Sequence, residues 1–358
     1  LQTEPYTGVS YYLQNILKAW QKSGRSHDAK LYFNLKGDWN TPSFIKEDFL
    51  CTRTSIPNKL LQLMWSVTSF PSLEKHIGED TLWLPNSNFI GDTGKKRIVL
   101  SVHDLSFIHF PEFYSIKMRA WHKLLSIKRL VKKSDHIITF SNATKRDICQ
   151  TFNYSDKKIT VIPHGVDDVF FNSTDKNIDL PSRYITYIGS IEPRKNLPTL
   201  IEAFEKLAKN DSDLHLVIAG SDGWLSKPVF KMIEESEFKQ RIRYRGYISE
   251  SEKIQIMQNA LVFAFPSFYE GFGLPVLEAM ASGCPVVGGS VGSLPEIVDD
   301  AGILINPYQT NELASAIELL LNNKKVYNEF SEKGVSRAKK FTWKIAAEET
   351  YKVIEGKI

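Results

Sequence analysis

At 358 residues the chain exceeds one ordinary domain, and two compact units are expected. Hydrophobic residues at 42% and charged residues at 24% describe a soluble globular protein with a sizeable core. The net charge of +4 suits an anionic ligand or an acidic membrane surface, and no nucleic-acid partner is expected from it.

Cys51, Cys149 and Cys284 are odd in number, far apart, and form no C-x-x-C. Reduced thiols in a cytoplasmic compartment are expected rather than a disulfide framework. No run of about 18 apolar residues marks a membrane span. The opening LQTEPYTGVSYYLQNIL lacks the basic start and apolar run of a signal peptide.

The chain begins in a loop and enters a helix at once, TGVSYYLQNILKAWQKS, whose apolar side chains fall at helical spacing. Alternating α/β chains usually begin with a strand, so a first strand is expected to be missing ahead of this helix. KKRIVLSVHD is a β-branched run that breaks into a polar loop. DHIITFS does the same before NATKRDICQTF, and KKITVIPHGVDD ends in proline and glycine. The polar, proline-bearing stretch NSTDKNIDLPSR, residues 172–183, is the expected linker.

After it the pattern restarts. RYITYIGS, LHLVIAGS, RIRYRGYIS, ALVFAFPS and CPVVGGS read as strands, and NLPTLIEAFEKLAKN and LPVLEAMASG as helices. Ser249 and Glu252 form a capping box, and LPVLEAMASG has proline near its start and glycine past its end. Strands apolar throughout, alternating with helices, indicate parallel sheets covered on both faces. The expected architecture is α/β: two doubly wound, Rossmann-like domains facing across a cleft. They span residues 1–171 and 184–342, and a last helix occupies 343–358.

Three places could carry chemistry. In YIGSIEPRKNLPTLIEAF a strand ends at Gly189, and Arg194 and Lys195 stand in the loop before a helix. Loops at the carboxyl ends of such strands line the ligand crevice, and two cations beside a helix N-terminus suit a phosphate or diphosphate. In FYEGFGLPVLEAM, Glu270 precedes a helix expected to start at Pro275, and Glu278 lies about one turn inside it. Gly271, Phe272, Gly273 and Leu274 can present backbone N–H groups at close range, while the carboxylates accept hydrogen bonds from hydroxyls. Taken singly, Glu270 is a loop charge and Glu278 a helix-start charge favoured by the dipole. With the glycines and Arg194–Lys195 they read as a site for a polyhydroxylated ligand.

The third place is the basic stretch from Phe113 to Ser134. It holds Lys117, Arg119, Lys123, Lys128, Arg129, Lys132 and Lys133, interleaved with Trp121, Leu124, Leu125 and Ile127, and contains no acid. An anionic membrane surface and a solvated helix face over a core stripe both fit it. Asp211–Ser212–Asp213 reads as a turn rather than a metal signature. His103, at a strand end, is a functional candidate, whereas His109 reads as a loop histidine.

GSIEPRKN, FYEGFGLPVLEAMASGCPVV and GGSVGSLPEIVDDAGILINP together resemble the retaining glycosyltransferases of family 4, the group 1 glycosyltransferases of GT-B fold. TGVSYYLQNI, VHDLSFIHFPEFYS and PHGVDDVFF are similar to the family's N-terminal motifs, so the likeness spans most of the chain. The resemblance implies that Arg194 and Lys195 hold the donor's diphosphate in the loop opened by Gly189. It implies that Glu270, with the N–H groups of Gly271 to Leu274, binds the transferred sugar, and that Glu278 binds the ribose. Gly8 would let the first loop approach the diphosphate, His103 would sit near the transferred sugar, and Tyr247 would lie by the nucleobase.

It further implies a nucleotide-sugar donor, a glycan or lipid-linked acceptor, no cofactor and no metal ion. The last helix would cross back to the N-terminal domain. VHDLSFIHFPEFYS looks most like mannosyltransferases using GDP-mannose, as in bacterial polysaccharide assembly, although UDP-hexose users share every motif named. A non-catalytic sugar-nucleotide-binding protein of the same fold is the alternative from another class. A sugar-nucleotide epimerase or a scaffold fits the paired glutamates and cations less well. A cytoplasmic location is expected, peripheral on the inner face of the membrane if the basic stretch binds there.

Overall fold

The computed structural model describes residues 8–34, 42–57, 60–61, 64–65, 81–87, 96–172 and 178–357. Thr7 of the first glycine loop and residues 173–177 of the expected linker lie outside them. The chain divides into two compact units, one of Leu1–Leu105, Ile116–Gly165 and Trp343–Ile358, the other of Ser106–Ser115 and Val166–Thr342.

In the first unit β1 (Lys30–Asn34) pairs in parallel with β2 (Leu50–Thr54). A parallel sheet holds β3 (Thr81–Leu84), β4 (Arg97–Val102), β5 (His136–Thr139) and β6 (Ile159–Val161) in that order. The helix Gly8–Lys22 turns Tyr12, Ile16, Leu17 and Trp20 inward, at the helical spacing its sequence shows. It packs on the helix Trp343–Ile354 from the far end of the chain. Trp20 Nε1 donates to Ala347 O at 2.9 Å. Arg97 Nη1 donates to Val353 O and Ile354 O at 2.9 and 2.7 Å, which satisfies carbonyls left open by the helix end.

The second unit is one parallel sheet. Its strands are β7 (Tyr184–Ile188), β8 (His215–Ala219), β9 (Ile242–Tyr244), β10 (Val262–Phe265), β11 (Val286–Gly289) and β12 (Ile303–Ile305). They lie in the order β12-β11-β10-β7-β8-β9 among the described residues. Every residue of β7 and β10 is buried, as apolar runs covered on both faces require. From β7 the chain builds outward through β8 and β9, then returns to lay β10 on β7's other side. That reversal is the topological switch point, where open α/β sheets bind ligands outside their strand ends.

Ser106–Ser115 and Val166–Phe171 fall in the second unit, although they precede the linker in sequence. Aromatic packing accounts for the first segment: Phe113 stacks on Phe268 at 5.4 Å, and Phe110 lies 5.4 Å from Tyr269. Trp224 Nε1 also donates to Phe113 O at 2.6 Å. In the second segment the buried Phe170 carries Lys253 Nζ over its ring at 5.0 Å.

The basic stretch is two helices, Ile116–Leu125 and Ile127–Lys133, broken at Ser126, whose φ is 46°. Leu125, Ile127, Leu130 and Val131 are buried, while Ile116 and Leu124 are exposed. Its apolar residues therefore divide between core and surface.

Candidate active site

The loop after β7 is shaped by close backbone packing. A Cβ at Gly220 would stand 1.9 Å from Gly189 O, and one at Gly189 would stand 2.7 Å from the Tyr187 hydroxyl oxygen. No larger residue fits between these two strand ends. A short turn, Pro193–Lys195, then presents the two cations, and Asn196, with φ 56°, passes the chain into the helix Leu197–Ala208.

Arg194 and Lys195 meet Glu270 across the switch point. Arg194 Nη1 lies 3.0 Å from Glu270 Oε2, and Lys195 Nζ lies 2.7 Å from Oε1. Arg194 also donates to Tyr269 O at 2.7 Å and pairs with the buried Glu192 at 2.7 Å. Burial of Glu270 would raise its pKa; the two cations outweigh it and hold the carboxyl down at about 2. Glu270 is therefore ionised at neutral pH, with one cation on each oxygen.

The backbone of Glu270 is gripped from the loop after β11. Gly292, with φ +59°, comes so close that a Cβ there would lie 2.6 Å from Glu270 O. Ser293 Oγ donates to Glu270 O at 3.0 Å and to Phe272 O at 2.7 Å. Gly273, with φ 103°, caps the helix Leu274–Ala281, one residue ahead of the expected start at Pro275. The N–H groups of Gly273 and Leu274 bond nothing among the described residues, as expected of groups ahead of the first helical turn. Such groups favour an anionic or oxygen ligand.

Glu278 sits one turn into that helix, buried, with Oε1 2.6 Å from Lys253 Nζ. Burial is the largest influence and raises its pKa, Lys253 opposes it, and Glu250 and Asp167 add to the rise. Hence the two glutamates differ sharply in electrostatics, one held firmly as the anion and the other pushed toward protonation.

These residues lie within a matched family segment. The model of the glycosyl transferases group 1 matches residues 168–337, and that of glycosyltransferase family 4 matches residues 6–170. Over 264 residues the chain is 31% identical to the O-antigen chain mannosyltransferase B of Escherichia coli, covering 71% of this chain and 69% of that protein. The chain belongs to the group 1 glycosyltransferases.

This transferase is also 25% identical over 283 residues to the O-antigen chain mannosyltransferase RfbU of Salmonella typhimurium, covering 75% of this chain and 74% of that one. It is 30% identical over 247 residues to the MMP alpha-(1->4)-mannosyltransferase of Mycolicibacterium hassiacum, covering 67% of this chain but only 59% of that protein. Among solved structures it shares the fold of sucrose-phosphate synthase from Thermosynechococcus elongatus. The TM-score is 0.79 at 21% identity, over 98% of this chain and 93% of that one. WaaG, a glycosyltransferase involved in lipopolysaccharide biosynthesis, matches with TM-score 0.74 at 16% identity, over 99% and 98%. The fold is GT-B.

Of the residues singled out from the transferase's sequence, Gly189, Arg194, Lys195, Glu270 and the segment Gly271–Leu274 converge at the switch point, with Glu278 one turn beyond. Tyr247 stands in the loop after β9, 47% exposed. Gly8 and His103 belong to the first unit. A Cβ at Gly8 would meet nothing within 4 Å. His103 follows β4, with Nε2 2.9 Å from Pro85 O and its ring 4.6 Å from Phe140 and 5.4 Å from Tyr12. Burial lowers its pKa, which favours the neutral ring.

Asp211 pairs with Arg183 at 2.8 Å and accepts from the Asp213 N–H at 3.2 Å, a turn as read from the sequence. No cluster of three His, Cys, Asp or Glu side chains suited to a metal ion occurs among the described residues. The sequence reading missed Glu192, Asn196, Lys253 and Gly292. Only Asn196, a residue tolerant of left-handed backbone between PRK and a proline-led helix, left a local signal.

Proposed function

We propose that this transferase moves a mannosyl unit from GDP-mannose to a hydroxyl of a glycan or lipid-linked acceptor, with retention at the anomeric carbon. The observation carrying this reading is the pair of cations, Arg194 and Lys195, held on Glu270 at the switch point. Departure of a nucleoside diphosphate breaks the bond from the anomeric carbon to the phosphate oxygen and leaves its electron pair on that oxygen. In this reading Arg194 and Lys195, held in place by Glu270, stabilise that charge.

In this reading Glu270 accepts bonds from sugar hydroxyls, and Glu278 from the ribose. Gly8 flanks the diphosphate, Tyr247 the base, and His103 the transferred sugar. The acceptor hydroxyl attacks the face the nucleotide leaves, and its proton passes to the departing phosphate oxygen. Neither glutamate serves as a glycosidase-type acid or nucleophile. Glu270, held near pKa 2 with both oxygens engaged, is a poor candidate for either task. Mannose is supported by the names of the Escherichia and Salmonella relatives. The cations carry the charge that a metal ion carries elsewhere, so turnover should survive a chelator.

Calorimetry with GDP, UDP and ADP tests the donor base, and turnover of GDP-mannose with a lipid-linked acceptor tests the reaction. Turnover with UDP-hexoses alone would replace the donor. Binding without turnover would favour a sugar-nucleotide-binding protein, and no binding at all would end the enzyme reading.

We extend the reading to an anionic membrane surface on the cytoplasmic side. On the helix Ile116–Leu125, exposed Ile116, Ala120 and Leu124 recur every fourth residue, with Ile116 82% and Leu124 45% exposed. Exposed Lys117, Arg119 and Lys123 flank them, and Lys128, Arg129, Lys132 and Lys133 follow on the next helix. Lipid chemistry matches an apolar stripe flanked by cations. Co-sedimentation with phosphatidylglycerol vesicles but not phosphatidylcholine vesicles is expected, and should fall with salt and with Ile116→Asp. No helix among the described residues is long and apolar enough to cross a membrane.

A further inference from the structure

We infer that Asn196 is a positioning residue, which sets Arg194 and Lys195 against Glu270 by tying the loop after β7 to those after β10 and β12. The inference rests on the donor site proposed above, and it concerns a side chain that itself touches no donor group in that reading. Asn196 is 3% exposed. Its Nδ2 donates to Pro266 O at 3.0 Å and to Pro307 O at 2.7 Å, and its Oδ1 accepts from Thr199 Oγ1 at 2.8 Å. Both amide protons and the amide oxygen are thus engaged.

Pro266 directly follows β10 and lies four residues ahead of Glu270, whereas Pro307 lies just past β12. One side chain therefore fixes the cation-bearing turn to the strand end that carries its carboxylate partner. A second stitch, from Phe268 N–H to Arg194 O at 2.9 Å, runs between the same two loops.

The chemistry selects asparagine narrowly. The backbone at φ 56° and ψ 41° is left-handed, which glycine adopts freely and asparagine tolerates. Glycine supplies no amide. Aspartate is isosteric and keeps an acceptor for Thr199, but cannot donate, and would turn a carboxylate toward two carbonyl oxygens. A turn needing only the left-handed backbone is satisfied by glycine; the two donated bonds do something glycine cannot.

The test uses the full chain and whichever of GDP, UDP or ADP it binds best, together with that nucleotide's monophosphate. In Asn196→Gly and Asn196→Asp, affinity for the diphosphate should fall about 10- to 100-fold, the loss expected when one bond from a charged group to the phosphate is misplaced. Affinity for the monophosphate should hold within about threefold, so the ratio of the two drops. A loss of folded protein would lower both affinities' apparent stoichiometry and leave the ratio unmoved.

Lys195→Ala, as the reference, should lower the same ratio. Thr199→Val, which leaves both donated bonds in place, should not. If Lys195→Ala lowers the ratio and neither Asn196 variant does, the positioning role is overturned and the site reading stands. If Thr199→Val lowers the ratio as far as Asn196→Gly, disruption of the helix start explains the effect and the role is again overturned. If Lys195→Ala leaves the ratio unchanged, the site reading falls and the inference with it. One cooperatively melting Asn196 variant is enough to decide.

Discussion

Glu270 carries its charge because two cations sit on it, so its stability contribution is tied to pH. Its folded pKa of about 2 lies below the ordinary value of 4.5. A depressed carboxyl contributes stability that is full above the unfolded value and lost as pH falls through the folded one. The second unit's stability to urea should therefore fall as pH drops from about 4.5 to 2, by on the order of 3 kcal/mol from this group. Glu270→Gln should flatten that part of the profile, and an unchanged slope would count against the pairing. Gly292 makes a separate demand, combining φ +59° with a close approach to Glu270 O. Gly292→Ala should cost roughly 1–3 kcal/mol in thermal stability and lower donor affinity more than tenfold, an outcome that melting and calorimetry would read together. The spacing of Glu270 and Glu278, the glycines between them and the Arg194–Lys195 pair were all legible in the sequence as a candidate site. Their private partners were not. Lys253 is 25 positions from Glu278, and Glu270 stands 75 from Lys195; no local pattern links residues that only the strand order brings together.

At the scale of elements, the strands that could be read were those with nothing polar to confuse them. YITYI, HLVIA and VFAF are near-continuous apolar runs, and all three are central in the sheet. KLYFN and TLWL form β1 and β3 but are mostly half-buried, and LCTRT, which forms β2, is mostly polar, so their pattern did not separate them from loops. The basic stretch read as one segment because its charges are continuous, whereas left-handed Ser126 splits it. The last helix, expected over 343–358 and tied to the N-terminal domain by the family resemblance, runs Trp343–Ile354; its dependence on Arg97 was not legible. Arg97→Ala removes the donor to Val353 O and Ile354 O, and should cost about 1–2 kcal/mol in the first unit's stability by denaturant unfolding. A loss shared equally by the second unit would argue against this placement.

For the molecule as a whole, two units with separate cores should not melt as one. The cations, both glutamates and the open helix N–H groups all belong to the second unit. A nucleoside diphosphate at about 100 times its Kd should stabilise the state it binds by roughly 2.7 kcal/mol. Calorimetric scans should show most of that shift in the second unit's transition, and an equal shift in both would mean that the ligand depends as much on the first unit as on the second. The segmentation into Leu1–Leu105, Ile116–Gly165 and Trp343–Ile358 also sets a timetable for biosynthesis. Trp20 must find a carbonyl 327 residues further along, which at about 10 residues per second emerges from the ribosome roughly half a minute later. In that interval the bulk of the second unit, Val166–Thr342, has been made without interruption. The unit encoded later should thus finish folding first, while the earlier one waits with its tryptophan-bearing helix uncovered and open to chaperones.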